Sequence, residues 1–259
     1  MSELVLARPA SFGGDARVMM ARSLRLSLRN MDALFTALFL PVMLMLLFVY
    51  LFGGAIETGT EYVTYVVPGV ILLCAGFGSS LTAVAVTQDM NGGIMDRFRS
   101  MDIGGAAVLA GHVVASISRN LLSTVLVLAV AFLIGFRPQA DPLDYLAAVG
   151  VLLLFVLAFS WVSAAVGLIT RSAEAAGGFT FFVMFMPYPS SAFVPIDTMP
   201  SWIHGFAEHQ PFTPVIESMR GLLLGTPIGD SAWLAAAWCG GILVVAVAAS
   251  GFLFRRRIS

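Results

Sequence analysis

Residues Tyr145 to Ile169 read YLAAVGVLLLFVLAFSWVSAAVGLI, an apolar run without a single charged side chain. A helix rises about 1.5 Å per residue and the hydrocarbon core of a bilayer is about 30 Å thick, so roughly 20 apolar residues make one crossing. The run is continuously apolar rather than alternating, which favours a helix over a strand of a membrane barrel. It therefore predicts a transmembrane helix.

The whole chain shares this character. Of its 259 residues 59% are hydrophobic and 11% are charged, and the mean hydropathy is +0.92, outside the range of soluble domains. This composition predicts an all-α integral membrane protein with a single transmembrane domain over residues 1–259. Six runs are long enough to cross a bilayer, at about 33–52, 65–87, 106–136, 145–169, 175–195 and 232–254. The third run is longer than one crossing needs, and its crossing is predicted from Asn120 to Phe136.

Arginine placement predicts the orientation of these spans. The chain has no lysine, and all 14 basic residues are arginine. Basic residues are retained on the cytoplasmic side of short membrane loops. A cytoplasmic N-terminus followed by six crossings leaves only Arg137 and Arg220 outside. Both termini and the loop 88–104 are therefore predicted to be cytoplasmic, and the segment 196–231 extracellular.

The segment 15–31 precedes the first span and carries its arginines on one side of a helix. Arg22, Arg25 and Arg29 fall within about 60° of one another in a helical projection. This pattern is typical of an amphipathic helix that lies along the membrane surface with its arginines toward lipid headgroups. The alternative is a basic anchor that only fixes orientation. Both interpretations keep the segment at the membrane surface.

The extracellular segment 196–231 is rich in proline, which breaks continuous helices, so short re-entrant-like helices are predicted between spans five and six. His204, Glu208 and His209 are too few for a zinc site, and His209 would point about 140° away from His204 on a helix. No metal site is therefore predicted. His112, at the start of the third apolar region, is predicted to be passive.

The spans also lack the groups that power or catalyse reactions. None of the six contains Asp or Glu, which counts against an ion-coupled carrier. No histidine or carboxylate stands beside Ser79, Ser160 or Ser163 in the sequence, which counts against an intramembrane hydrolase. The missing lysine excludes a P-loop ATPase, and no basic stripe with interleaved aromatics indicates nucleic-acid binding. An apolar conduit without its own energy source fits best.

A family resemblance enters at the loop between spans two and three. Residues Asn91–Val114 read NGGIMDRFRSMDIGGAAVLAGHVV, with ISRNLL at Ile117–Leu122 and LIGFRP at Leu133–Pro138. This pattern resembles the permease subunits of type-2 ABC exporters, particularly the daunorubicin-resistance group. The resemblance implies that the loop forms a cytoplasmic coupling helix that docks on an ATPase subunit. The residues matching the family pattern there are Gly93, Asp96, Arg97, Phe98, Arg99 and Ser100.

Within this implied coupling helix, Gly93 would permit the tight entry and Phe98 would be the apolar knob. Arg97 or Arg99 would meet acidic or backbone acceptors of the partner. Asp102 departs from the family pattern, because a proline is frequent at this position in relatives. The exit from the coupling helix is therefore where this chain is expected to differ.

The resemblance further implies an efflux permease of the bacterial plasma (inner) membrane that moves hydrophobic drugs, antibiotics or lipids. ATP and Mg²⁺ would be bound by two cytoplasmic ATPase subunits, and this chain would hold no cofactor. A second permease chain, identical or similar, would complete the complex. Candidate residues of the substrate path are Phe77, Phe181, Phe182, Phe185, Met186 and Tyr188. An ATP-independent channel or carrier, and a membrane scaffold or immunity protein, remain alternatives.

Overall fold

The computed structural model describes residues 20–22, 25, 31–92 and 105–258. Throughout these ranges the chain is built from helices and turns and has no strand, so the all-α prediction is confirmed there. The helices are α1 (Met31–Leu47), α2 (Tyr62–Asn91), α3 (Gly105–Leu133), α4 (Pro142–Ile169), α5 (Ala173–Phe185), α6 (Ser201–His209), α7 (Phe212–Leu224) and α8 (Ser231–Ile258). A π-helix, Phe48–Phe52, continues α1, and a 3₁₀ turn, Ile196–Thr198, precedes α6.

Four helices are long and apolar enough to cross a membrane, and they fall on predicted spans two, three, four and six. Their spanning segments are Tyr62–Asn91, Ala107–Leu133, Pro142–Ile169 and Ser231–Arg256. Two shorter apolar helical segments, Phe39–Phe52 and Ala173–Phe185, fall within the first and fifth predicted spans. The membrane-protein class therefore rests on four long helices, and the count of six crossings stays a prediction.

The fifth predicted span is a shorter helix than expected. α5 has 13 residues and ends at Phe185, instead of continuing to Pro195. At about 1.5 Å per residue it is about 20 Å long, less than the thickness of a hydrocarbon core. Residues 186–195 form turns, because Pro187 and Pro189 lack amide donors and disfavour helical conformation in the residues before them.

α2 is the central helix of the bundle. Most of its side chains from Tyr62 to Thr87 are buried, and it contacts α1, α3, α4, α5 and α7. Its contact with α4 depends on Gly167, where a Cβ atom would lie 2.6 Å from the carbonyl oxygen of Ala83. Small residues allow such close approach between membrane helices. α8, by contrast, packs mainly on α4 and α7 and leaves a broad apolar face exposed.

The prolines between α5 and α8 predict short helices at the membrane surface. One of the two helices found there, α6, lies at the surface, and the other, α7, does not. α6 lies at the surface with Trp202 exposed, but α7 is buried against α2, α4 and α8. The Phe212 ring meets the rings of Phe155 and Phe159 of α4, each at 5.2 Å between centroids. α7 is therefore part of the core, because its apolar side chains recur at helical spacing despite the charges it carries.

Candidate coupling region and substrate path

The predicted coupling loop lies between the end of α2 and the start of α3. Its matching residues lie outside the described residues, as does Asp102: Gly93, Asp96, Arg97, Phe98, Arg99 and Ser100. The structure does describe both ends of the loop, since α2 ends at Asn91 and α3 begins at Gly105. The contacts of these two helix ends are therefore the structural observations that bear on the coupling hypothesis.

Asp89, in the last turn of α2, contacts two basic side chains from different segments. Its Oδ2 atom lies 3.2 Å from Nη1 of Arg22 and 3.1 Å from Nε2 of His112 on α3. Only 16% of the Asp89 side chain is exposed, so these charge-assisted bonds are partly shielded from water. An acid at a helix C-terminus opposes the helix dipole, and the bonds to Arg22 and His112 offset that cost. The three residues fasten α2, α3 and the N-terminal segment to one another.

This cluster changes two expectations from the sequence. His112 is not passive, because it joins the two helices that hold the coupling loop. Arg22 turns toward Asp89 rather than only toward headgroups, whereas Arg25 is exposed and Arg29 lies outside the described residues. The signal available in the sequence was an acid and a histidine placed just before and just after one loop.

Hydroxyl and amide groups fasten the same end of α2 to the end of α4. The Oγ1 atoms of Thr87 and Thr170 are 2.6 Å apart, and Oγ1 of Thr87 also donates to the carbonyl oxygen of Gly167 at 3.1 Å. Nδ2 of Asn91 donates to the carbonyl oxygen of Arg171 at 2.8 Å. The end of α2 is thus fastened to both α3 and α4.

A buried polar cluster joins α2, α3 and α4 farther along the bundle. Nδ2 of Asn120 lies 3.3 Å from Oγ of Ser79 and 3.3 Å from Oγ of Ser116, and Ser160 donates to Ser116 at 2.8 Å. Ser163 donates to the carbonyl oxygen of Phe159 at 2.6 Å. These partners are hydroxyl, amide and carbonyl groups, none of which is a base that activates a serine nucleophile. The cluster is therefore suited to holding helices together.

The candidate path residues separate into two groups. Phe77 is buried within the bundle on α2. Phe181, Phe182 and Phe185 form an exposed face of α5, with exposed fractions of 64%, 58% and 46%. The rings of Phe181 and Phe185 lie 4.7 Å apart. Within one chain, Phe77 is thus enclosed while the three phenylalanines face outward.

Met186 and Tyr188 belong to the turn after α5 and pack partly against the core. The Tyr188 ring lies 5.6 Å from that of Phe185 and 5.0 Å from that of Phe193, which in turn stacks on Phe48 at 4.4 Å. The exposed face of α5 therefore continues into an aromatic row that reaches the π-helix after α1. The sequence did not indicate this row, because Phe48 lies far along the chain from α5 and Phe193 follows a turn whose path the sequence does not define.

Arg220 of α7 belongs to the segment that the sequence predicts to be extracellular, and its side chain is buried within the protein. Its Nη2 atom donates to the carbonyl oxygens of Tyr65 at 3.2 Å and of Ser191 at 2.6 Å, and its Nη1 atom pairs with Glu217 at 2.5 Å. The guanidinium carbon lies 3.8 Å from the centre of the Tyr65 ring. Arg220 thus joins α7, the start of α2 and the turns after α5 at the end of the bundle opposite Asp89.

The histidines of α6 have backbone partners. Nε2 of His204 lies 2.8 Å from the carbonyl oxygen of Met199, and Nδ1 of His209 lies 2.9 Å from that of Gly205. In the part of the chain that the structure describes, no three His, Cys, Asp or Glu side chains come together as metal ligands. Cys74 and Cys239 are both buried, and neither belongs to a disulfide in the described residues.

Comparisons with known proteins agree with this helical membrane architecture. Residues 15–224 match the family described as ABC-2 type transporter. The chain is 30% identical over 189 residues to the daunorubicin resistance ABC transporter permease protein DrrB1 of Streptomyces coeruleorubidus, covering 72% of this chain and 67% of that protein. It is 25% identical over 222 residues to the probable doxorubicin resistance ABC transporter permease protein DrrC of Mycobacterium tuberculosis, covering 85% and 80%.

The family match extends from before α1 to the end of α7 and includes the loop between α2 and α3. The four long apolar helices place the polypeptide in a membrane. The predicted resemblance is thereby confirmed. The chain belongs to the ABC-2 type transporter family and is a membrane-embedded permease subunit of an ABC transporter.

Proposed function

We propose that the chain is the permease subunit of an ATP-driven exporter that moves a hydrophobic drug, antibiotic or lipid out of the cytoplasm or the inner leaflet. The observation that carries the substrate class is the exposed face of Phe181, Phe182 and Phe185 on α5. Aromatic rings offer large apolar surfaces on which planar apolar molecules stack. The relatives named for daunorubicin and doxorubicin resistance support the same class of substrate.

A second permease chain, identical or similar, completes the transport path in this proposal. The α5 face is too apolar for water, and the other copy would cover part of it and leave a passage between the two chains. Phe77, enclosed on α2, would then support the wall from behind rather than touch substrate. The aromatic row through Tyr188, Phe193 and Phe48 would continue the passage along the bundle.

Energy comes from two cytoplasmic ATPase subunits that bind ATP and Mg²⁺. A chain without lysine has no P-loop of its own, so the loop 88–104 would receive the movement of the partner. The contacts of Asp89 with Arg22 and His112 support this role, because they hold both helix ends of the loop together. A push on the loop would therefore be transmitted to the buried helix α2 rather than absorbed by a free segment.

The complex would sit in a bacterial inner membrane with both termini in the cytoplasm. The end of the bundle that carries Arg22, His112, Arg171 and Arg256 would face the cytoplasm, as the retention of basic residues there favours. The opposite end, with Arg220 and the surface helix α6, would face outward.

The test uses inside-out vesicles that contain the chain with or without its cognate ATPase subunits, and daunorubicin as the transported probe. Uptake should require ATP and both kinds of subunit, and vanadate should abolish it. The triple variant Phe181→Ala/Phe182→Ala/Phe185→Ala should lower uptake at least about tenfold, since each aromatic contact contributes about 0.5–1.5 kcal/mol. Phe132→Ala, a matched change at an exposed ring of α3, should lower it less than about twofold.

Two experimental outcomes would contradict the proposed function and favour one of the alternatives. Uptake of daunorubicin at the same rate without ATPase subunits would identify a channel or carrier. Binding of ATPase subunits with no movement of daunorubicin or of a fluorescent phospholipid would identify a scaffold.

A further inference from the structure

An apolar groove runs between α4 and α8 on the outside of the bundle. Its volume is about 700 Å³, and it is lined by the C-terminal part of α4 and by α8 from Leu234 to Leu253. The α4 wall is formed by Val162, Val166 and Ile169, and the α8 wall there by Ala246, Ala249 and Leu253. The alanines are small enough to keep the groove open, so a slender apolar chain fits between the two helices.

A second cavity, of about 550 Å³, adjoins the groove at the end where both helices stop. It is lined by Leu168, Ile169, Arg171, Leu253 and Arg256. Ile169 and Leu253 also line the groove, so the two spaces are continuous. The combined site is an apolar groove that ends between two arginines.

The two arginines are not neutralised by acids of the described part of the chain. The ion pairs there involve Asp89 and Glu217, with Arg22, His112 and Arg220 as their partners. Glu174, the acid nearest in sequence to Arg171, forms no ion pair with it. Arg171 and Arg256 therefore present positive charge at the mouth of an apolar groove, which complements an anionic group that carries a hydrocarbon chain.

The two walls of the groove differ in length. The α8 wall extends from Leu253 to Leu234, a rise of about 29 Å, close to the roughly 30 Å hydrocarbon core, whereas the α4 wall extends from Ile169 to Val162, about 11 Å. An acyl chain that starts at the arginines would thus lie between both helices for about 11 Å and then continue along α8. The headgroup phosphate would lie at the interface, where basic side chains between membrane helices attract anionic lipids.

We infer that α4 and α8 form a binding site for one anionic phospholipid, with its phosphate held by Arg171 and Arg256 and an acyl chain in the groove. A helix of a second copy is the other apolar occupant of suitable shape. A copy inserted in the same orientation would place its own arginine-rich end beside Arg171 and Arg256, and like charges would repel. An anionic lipid is attracted by the same charges. The site is separate from the α5 face, and at its arginine end it adjoins the end of α2, where Asn91 donates to the carbonyl oxygen of Arg171.

The experiment titrates phosphatidylglycerol or phosphatidylcholine into the purified full-length chain in detergent and counts bound lipids by native mass spectrometry. The wild type should bind one phosphatidylglycerol more tightly than phosphatidylcholine. Arg256→Gln and Arg171→Gln should each weaken phosphatidylglycerol binding about fivefold, the loss expected for one basic residue at an anionic surface. Arg255→Gln, the matched change one residue away on α8 and outside the cavity, should leave it within about twofold.

A second pair of variants tests the groove independently of charge. Ala249→Trp, which fills the groove, should abolish the tight phosphatidylglycerol site, whereas Ala248→Trp, on the exposed neighbouring position, should retain it. Equal losses for Arg255→Gln and Arg256→Gln, or equal affinity for the two lipids, would overturn the inference in favour of diffuse surface charge. Loss of a chain dimer in Ala249→Trp, with lipid binding unchanged, would overturn it in favour of a second copy.

Discussion

Asp89 and Arg220 are charged side chains enclosed at opposite ends of α2. Asp89 accepts bonds from Arg22 and His112, and Arg220 donates to the carbonyl oxygen of Tyr65 at the start of the helix. Burying a charge is costly unless it is paired and hydrogen-bonded. Each residue therefore fixes which segments meet at its end of the bundle. Their contacts with Arg22, His112 and Tyr65 could not be derived from neighbouring residues, because these partners lie far away along the chain.

The first prediction concerns Asp89. Asp89→Asn keeps the shape of the side chain but removes the charge that holds Arg22 and His112, so the solubilised chain should lose about 1.5–3 kcal/mol of stability. Thermal unfolding of the purified chain, followed by tryptophan fluorescence, measures this loss as a lower midpoint. Asp197→Asn, a matched change at an exposed position, should leave the midpoint within about 1 °C. An unchanged midpoint for Asp89→Asn would show that the cluster does not hold the helices together.

At the scale of helices, length and caps explain which elements the sequence predicts. α4 ends where the apolar run ends, at Ile169, but begins three residues before the predicted span, because Pro142 and the capping box of Asp141 and Asp144 start the helix ahead of the apolar run. α5 is predicted too long, because apolar composition continues past Phe185 while the prolines end the helix. α7 is missed as a core helix, because Glu217 and Arg220 make a short segment look interfacial although they satisfy each other. Composition alone does not show which distant segments contact one another, so it cannot predict which helices are buried.

The second prediction tests the placement of α7. In a chain whose Cys74 and Cys239 are replaced by alanine, Thr226→Cys lies at an exposed position after α7, and Ile216→Cys lies at a buried one. A membrane-impermeant maleimide added to intact cells should label Thr226→Cys and leave Ile216→Cys unlabelled. Labelling of Ile216→Cys at a similar rate would contradict the burial of α7. Labelling of Thr226→Cys only after the membrane is opened would reverse the predicted orientation.

The whole molecule combines a rigid centre with two different ends. α2 is enclosed by its neighbours, fastened at one end to the coupling region and at the other to α7 and the turns after α5. In the proposed mechanism, such a helix would carry a displacement of the loop toward the aromatic row. The membrane class was predictable from composition. ATP binding by a partner, inferred from the missing lysine, and the docking residues of the loop, inferred from the family pattern, stay predictions.

ATP-driven daunorubicin uptake by the double variant Arg97→Glu/Arg99→Glu measures coupling through the loop 88–104 most directly. Reversing both charges should replace attraction to the ATPase subunit by repulsion, so uptake should fall at least about tenfold while the amount of inserted chain stays at the wild-type level. Arg255→Glu/Arg257→Glu, a matched reversal at the end of α8, should retain most of the uptake. Wild-type uptake by a correctly inserted Arg97→Glu/Arg99→Glu variant would contradict coupling through this loop.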